Sequence, residues 1–87
     1  MTVRIELFGI PRERAGVAET TAEGARLGEV LVDLARRFPR LADACFRHQR
    51  LQTGYVANLN GERFVTDPST PLKPGDALLI LSADAGG

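Results

Sequence analysis

The chain has 87 residues, of which 44% are hydrophobic and 25% are charged, which is the composition of an ordinary soluble globular protein. This length supports one domain with a modest core, and no apolar run approaches the ~18 residues that a membrane-spanning helix needs. Eleven basic residues balance eleven acidic ones, and the arginines are scattered along the chain, which argues against a nucleic-acid partner.

The first residues of the chain indicate its cellular compartment, and its cysteine and histidine content bears on metal and cofactor binding. The start, MTVRIELF, lacks the basic flank, apolar run and cleavage site of a signal peptide, so we expect a cytoplasmic protein. Cys45 is the only cysteine and His48 the only histidine. The sequence therefore predicts neither a disulfide framework nor a metal cluster, and we expect no bound cofactor.

Two strands are predicted at the start of the chain. Residues 3–8 read VRIELF, in which apolar residues alternate with charged ones, the pattern of a half-buried strand. Gly9 and Pro11 interrupt this strand. After Gly16, a short and partly β-branched stretch predicts a second, weaker strand at residues 17–21.

A helix follows, because the apolar residues change to a spacing of three or four. They form one stripe along a helix, consisting of Leu27, Val30, Leu31, Leu34 and Phe38. Pro39 ends this helix. Residues 41–46 could add one further helical turn, and residues 48–54 have the composition of a polar loop.

Three more strands complete the predicted fold. Residues 55–59 resume strand character, and Asn60-Gly61 predicts a type I′ hairpin turn into a fourth strand with the sequence GERFV. Pro74-Gly75 predicts a type II turn that leads into a last strand at residues 77–81, which is apolar at every position. The predicted order is strand, strand, helix, strand, strand, strand.

The sequence contains no recognisable catalytic constellation. His48 lies in a predicted loop without a neighbouring nucleophile, and Cys45 is expected to be a small core residue. None of the glycine spacings matches a phosphate-binding loop. We therefore expect no self-contained active site in this chain.

The last two residues, Gly86 and Gly87, complete a resemblance that runs from end to end. With this order of elements, the sequence resembles the ubiquitin-like sulfur carriers, in particular the small subunit of molybdopterin synthase. The matching segments are ELFGIPRERAG with its Arg-Glu-x-x-Gly block, LGEVLVDLARRFP, LNGE, PLKPGD and the final Gly-Gly. The shorter carriers of the thiamine pathway lack the Arg-Glu-x-x-Gly block, so the resemblance favours the molybdopterin type.

This resemblance implies a fold and a division of the chain. The expected fold is α+β, a β-grasp (ubiquitin-like) domain with a mixed four- to five-stranded sheet packed on one main helix. The domain would comprise residues 1–82, followed by a flexible tail at residues 83–87.

The resemblance also implies a mechanism centred on the carboxylate of Gly87. An adenylating enzyme of the ubiquitin-activating type would use ATP to form an acyl-adenylate, and a sulfur donor would convert it to a thiocarboxylate. A synthase large subunit would then use that sulfur. Gly86 and Gly87 suit this task because residues without a Cβ atom can thread a narrow channel.

The family's partner surface is the outer face of the sheet beside the tail. Because one helix covers one face of a sheet, we expect Leu78 and Ile80 to face the helix. Leu79 and Leu81 would then be left for a partner, together with Phe8.

Two alternatives and one departure qualify this interpretation. The activated carboxyl could be joined to a lysine of a target, as in protein modifiers, or the chain could be a non-covalent interaction module. The sulfur could also serve thiamine, another thio-metabolite or tRNA thiolation. Where the molybdopterin type has a proline pair and an apolar residue, this chain has Ser82, Ala83 and Asp84, so the sulfur-accepting partner is left open.

Overall fold

A computed structural model describes residues 1–84 of the chain. In these residues, seven strands and three helices follow one another as β1 Thr2–Leu7, α1 Ile10–Ala15, β2 Glu19–Glu23, α2 Leu27–Arg37, α3 Pro39–Cys45, β3 Phe46–Arg47, β4 Arg50–Leu51, β5 Tyr55–Leu59, β6 Arg63–Val65 and β7 Ala77–Ser82. None of these helices is long and apolar enough to cross a membrane.

Five strands form one mixed sheet in the order β2-β1-β7-β5-β6. The last strand, β7, lies at its centre, parallel to β1 and antiparallel to β5. The order of the five main strands and the mixed sheet confirm the predicted fold class. A separate two-stranded hairpin is formed by β3 and β4.

The core lies between α2 and one face of the sheet. Four residues of the predicted helical stripe, Leu27, Val30, Leu31 and Leu34, are fully buried, and Phe38 is partly buried against them. From the sheet, every second residue of β1 enters the same cluster, as the alternation in that segment predicts. The burial of these apolar side chains is the main stabilising contribution to the fold.

Helix α1 was not predicted, because Gly9 and Pro11 were interpreted only as breaks in β1. Proline is favoured in the first turn of a helix, where its missing N–H has no partner to lose. Gly16 ends α1 in the left-handed conformation, and its amide donates to the carbonyl of Arg12 at 2.9 Å. The Arg-Glu-x-x-Gly block is therefore a short helix with its glycine cap, and β2 begins at Glu19 instead of residue 17.

The region after α2 is also more regular than expected. Pro39 ends α2 but also opens α3, which runs to Cys45 and packs against α1. The predicted polar loop at residues 48–54 contains part of the β3–β4 hairpin, with His48 at positive φ in its turn. Helix α2 is the main helix, as expected, and α1 and α3 are shorter additions to it.

Candidate functional site

The C-terminal end of β7 determines where the tail leaves the domain. Tyr55 and Ser82 are opposed at the end of the β5–β7 ladder. One residue further, the amide of Ala83 donates a hydrogen bond of 2.7 Å to the carbonyl of Gly54. Ala83 and Asp84 are exposed. The tail therefore starts from the central strand of the sheet, and the two predicted site residues in it, Gly86 and Gly87, lie outside the described residues.

The side chains of β7 point to the two faces of the sheet as predicted. Leu78 and Ile80 have no exposed surface and belong to the core beneath α2. Leu79 is half-buried and lies on the opposite, outer face of the sheet, between Glu6 on β1 and Asn58 on β5. Successive side chains of a strand alternate between the faces, so Leu81 shares this outer face.

The exposure expected for Leu81 is wrong. This side chain is only 5% exposed, although it is not part of the core cluster on the other face. Its cross-strand neighbour on β5 is Val56, and the amide of Phe8 donates to the carbonyl of Ile80, which keeps the chain beside β7. Residues opposite each other on one face lie within contact distance. Leu81 is therefore at the centre of an apolar row and is covered by its neighbours.

These residues form an apolar surface on the outer face of the sheet. We define the outer-face patch as Phe8, Val56, Phe64, Leu79 and Leu81. Two of them, Phe8 and Phe64, are more than half exposed, at 51% and 57%. Large exposed aromatic side chains that border buried apolar ones are typical of protein interaction sites.

Phe64 was not predicted as part of this patch, and the reason lies in the hairpin register. Asn60 and Gly61 both have positive φ, and the amide of Glu62 donates to the carbonyl of Leu59, so the turn itself is as predicted. However, Leu59 is opposed by Arg63 and not by Glu62. Glu62 is therefore an extra residue between the Asn60-Gly61 turn and β6, and it shifts the pairing of β6 with β5 by one residue.

This shift decides which side of the sheet each residue of β6 faces. It places Val65 opposite the buried Ala57 and Phe64 opposite Asn58 on the outer face. If Leu59 were paired with Glu62, Phe64 would face the core and Val65 would face outward. The outward position of Phe64 could therefore not be predicted from the Asn-Gly turn alone.

The two residues considered for internal chemistry are not members of the outer-face patch. Cys45 is fully buried in the core, as expected, and burial raises the pKa of its thiol. His48 is exposed in the turn of the β3–β4 hairpin. In residues 1–84, no other cysteine or histidine accompanies them.

Comparison with known proteins identifies relatives of this arrangement. The sequence model of the ThiS family matches residues 5–87. Among solved structures, small archaeal modifier protein 1 from Methanosarcina acetivorans is 26% identical with a TM-score of 0.80, covering 99% of this chain and 96% of that one. A search of curated proteins found no match.

Two further solved structures are also 26% identical in sequence to this chain. A chain of the BexX/CysO complex from Amycolatopsis orientalis is 26% identical with a TM-score of 0.80, covering 98% of this chain and 99% of that one. The putative molybdopterin converting factor subunit 1 from Pyrococcus furiosus is 26% identical with a TM-score of 0.73, covering 94% of this chain and 97% of that one.

Proposed function

Because the chain belongs to the ThiS family and has the fold of the ubiquitin-like sulfur carriers, we propose that it carries sulfur as a thiocarboxylate on the carboxyl of Gly87. The observation that carries this proposal is that the family match continues through residue 87 and so includes the tail, which starts from the central strand of the sheet. The thiol of Cys45 is a poor alternative as the sulfur-bearing group, since it is buried.

The proposed chemistry proceeds in two steps on the carboxyl carbon of Gly87. A carboxylate oxygen attacks the α-phosphorus of ATP, pyrophosphate leaves, and an acyl-adenylate forms. Hydrosulfide from the sulfur donor then adds to the carbonyl carbon and AMP leaves, which produces the thiocarboxylate without a change in oxidation state. A carboxylate is a poor electrophile, so the first step supplies the leaving group that the second step needs. ATP is a substrate of the adenylating enzyme and not a cofactor of this chain.

The length of the tail supports docking at a distance from the reacting carboxyl. Four residues follow Ala83, whose amide is still hydrogen-bonded to Gly54, and an extended chain spans at most about 3.5 Å per residue, so the tail can reach about 14 Å beyond Ala83. The outer-face patch begins beside the base of the tail, where Leu81 and Val56 are opposed. A partner can therefore bind the patch while the tail enters its active site.

We propose molybdopterin as the product that receives the sulfur. Two observations support this choice: the Arg-Glu-x-x-Gly block, which forms α1 and its cap, and the likeness to the putative molybdopterin converting factor subunit. The synthase large subunit would bind the same tail. Asp84 replaces an apolar residue in that tail, so the large subunit must accommodate an exposed carboxylate there.

The adenylation step provides the direct test. The adenylating enzyme of the source organism should catalyse ATP–pyrophosphate exchange only when this protein is present. Deleting Gly87 should abolish the exchange, whereas Cys45→Ser should preserve it. Exchange that is independent of this protein, or that survives without Gly87, would contradict the proposal.

A second candidate function, protein modification, is favoured by the likeness to small archaeal modifier protein 1. It shares the adenylation step but ends in an amide bond between Gly87 and an amine of a target. Affinity-tagged protein recovered from cells under denaturing conditions separates the two functions. A ladder of larger conjugates that depends on Gly87 indicates a modifier, and its absence together with a thiocarboxylate indicates a carrier.

A further inference from the structure

The hairpin formed by β3 and β4 carries an unfavourable pair of like charges. Arg47 and Arg50 are directly opposed in its register, and both side chains are exposed. Like charges directly opposite each other on antiparallel strands destabilise the pairing. Across residues 1–84, no carboxylate forms an ion pair with either guanidinium. The fold therefore holds two positive charges together without a compensating negative one.

This basic hairpin borders the base of the tail. A surface depression beside it is lined by both arginines and His48, and also by Gly54, Tyr55 and Val56, with no acidic residue among the lining side chains. Gly54 accepts the hydrogen bond from Ala83, and Val56 belongs to the outer-face patch. The positive charges are thus continuous with both parts of the proposed docking site.

The hairpin is fixed in position by contacts with the domain. The side-chain amide of Gln52 donates to the carbonyls of Phe46 at 2.8 Å and Asp43 at 3.2 Å. The backbone amide of Gln52 donates to the carbonyl of Cys45 at 2.8 Å, and the side chain of Phe46 is buried in the core. The backbone of the two arginines therefore has a defined position relative to Ala83, where the tail begins.

We propose that the basic hairpin, Arg47 to Arg50, docks on an acidic surface at the rim of the site that receives the tail in the adenylating enzyme. This inference rests on the proposed function, which supplies the tail-binding partner. Complementary charges at the edge of an interface mainly accelerate association and orient the partners. Bringing a carboxylate between the two guanidinium groups would also relieve their repulsion.

A protein surface suits the hairpin better than a nucleic acid. The chain has no net charge, and the described residues that adjoin the hairpin include Tyr55 and Val56, of which Val56 belongs to the outer-face patch. Nucleic-acid sites usually present an extended series of basic residues along the backbone of the ligand. Two arginines and one histidine next to the half-buried Tyr55 and Val56 instead match the polar rim of a protein interface.

The test measures association of the protein with the adenylating enzyme of the source organism at several salt concentrations. The double variant Arg47→Glu/Arg50→Glu should associate about 10-fold or more slowly than the natural protein at low salt, with the difference shrinking at high salt. Arg47→Lys/Arg50→Lys should retain most of the rate because the charge is kept. Thermal unfolding of each variant confirms that it is folded.

The matched control is Arg26→Glu/Lys73→Glu, which changes the net charge equally. Lys73 precedes β7 at the end opposite the tail. Arg26 lies near it, because the amide of Leu72, next to Lys73, donates a hydrogen bond to the carbonyl of Ala25, next to Arg26. This control should lose much less than the hairpin variant. Equal losses in the two variants, or no loss in the hairpin variant, would overturn the inference.

Two other outcomes are distinguishable. If the natural protein supports pyrophosphate exchange while the hairpin variants associate normally, this inference fails and the proposed function stands. If the natural protein supports no exchange, the proposed function fails as well. Hairpin-dependent binding to a labelled transfer RNA, without an effect on the enzyme, would overturn the assignment of a protein partner.

Discussion

The amide of Ala83 donates a 2.7 Å hydrogen bond to the carbonyl of Gly54, so the tail is tied to the sheet one residue beyond β7. Gly54 has a φ of 97°, a backbone conformation that residues with a Cβ atom rarely adopt. The point where the tail leaves the sheet thus depends on the backbone of one glycine.

We predict that Gly54→Ala loosens the base of the tail at a cost of about 1–2 kcal/mol in folding stability. The substituted residue has space for its methyl group, so the cost comes from the backbone conformation. Hydrogen exchange should accelerate at the amide of Ala83 and stay slow at Ala57 in the middle of β5. Unchanged hydrogen exchange at Ala83 in the Gly54→Ala variant would show that this hydrogen bond does not depend on the backbone conformation of Gly54.

The outer-face patch predicts a separation between binding and stability. Phe8→Asp and Phe64→Asp should each weaken binding to the adenylating enzyme about 10-fold or more, because exposed aromatic residues often dominate interfaces. Their melting temperatures should change little, since both side chains are more than half exposed. Val32→Asp, on the exposed face of α2, is the matched control and should leave binding intact.

Leu81→Asp should behave differently from these two variants. Its side chain is 5% exposed, so the new carboxylate would be desolvated and should destabilise the fold by more than about 2 kcal/mol. A stable Leu81→Asp variant with weakened binding would instead restore the original expectation that Leu81 is an exposed contact residue.

The core predicts a large effect at Leu34. Leu34→Ala removes a fully buried side chain beneath the sheet and should cost about 2–5 kcal/mol in chemical unfolding. Val32→Ala, two residues earlier and partly exposed, should cost much less. Similar losses in the two variants would mean that the buried face of α2 is misassigned.

Asp33 predicts a loss of stability in acid. Its carboxylate accepts a 2.9 Å hydrogen bond from the amide of Glu23 and pairs with Arg37 at 3.3 Å and Arg36 at 3.0 Å. The hydrogen bond from the Glu23 amide, followed by the two arginines, lowers the pKa of Asp33 from its ordinary value of 3.8. A lowered pKa in the folded state stabilises the protein above the ordinary value, and this contribution disappears as pH falls through the lowered one.

We therefore expect Asp33→Asn to cost about 1–2 kcal/mol at pH 7 and less in acid, once the pH has fallen through the lowered pKa and the natural side chain is protonated. Urea unfolding across a series of pH values from neutral to acid measures this difference. Glu62→Gln, which removes an exposed carboxylate, serves as the control. An Asp33→Asn effect that is independent of pH would contradict the electrostatic explanation.

The parts of the fold that follow from periodicity could be predicted from the sequence. The alternation in β1, the stripe on α2 and the inward facing of Leu78 and Ile80 all depend on apolar burial, which the sequence displays directly. Helix α1 was missed because Pro11 is compatible with both a break and a helix start, and only packing decides between them.

The candidate site was only partly predictable for a related reason. Leu79 and Phe8 could be assigned from strand alternation, but the burial of Leu81 depends on Val56, a neighbour on another strand. Phe64 depends on the extra residue Glu62, which the turn signal does not reveal. Both outcomes arise from the register between strands, which a single segment does not encode.

The measurement that tests the central claim most directly is the mass of the protein after incubation with ATP, the adenylating enzyme and a sulfur donor. We predict an increase equal to the difference between one sulfur and one oxygen atom, located on the C-terminal peptide that contains Gly87. The same spectrum checks that the carboxyl of Gly87 is free in the starting protein. An unchanged mass, or an added sulfur that maps to Cys45 as a persulfide, would contradict the account.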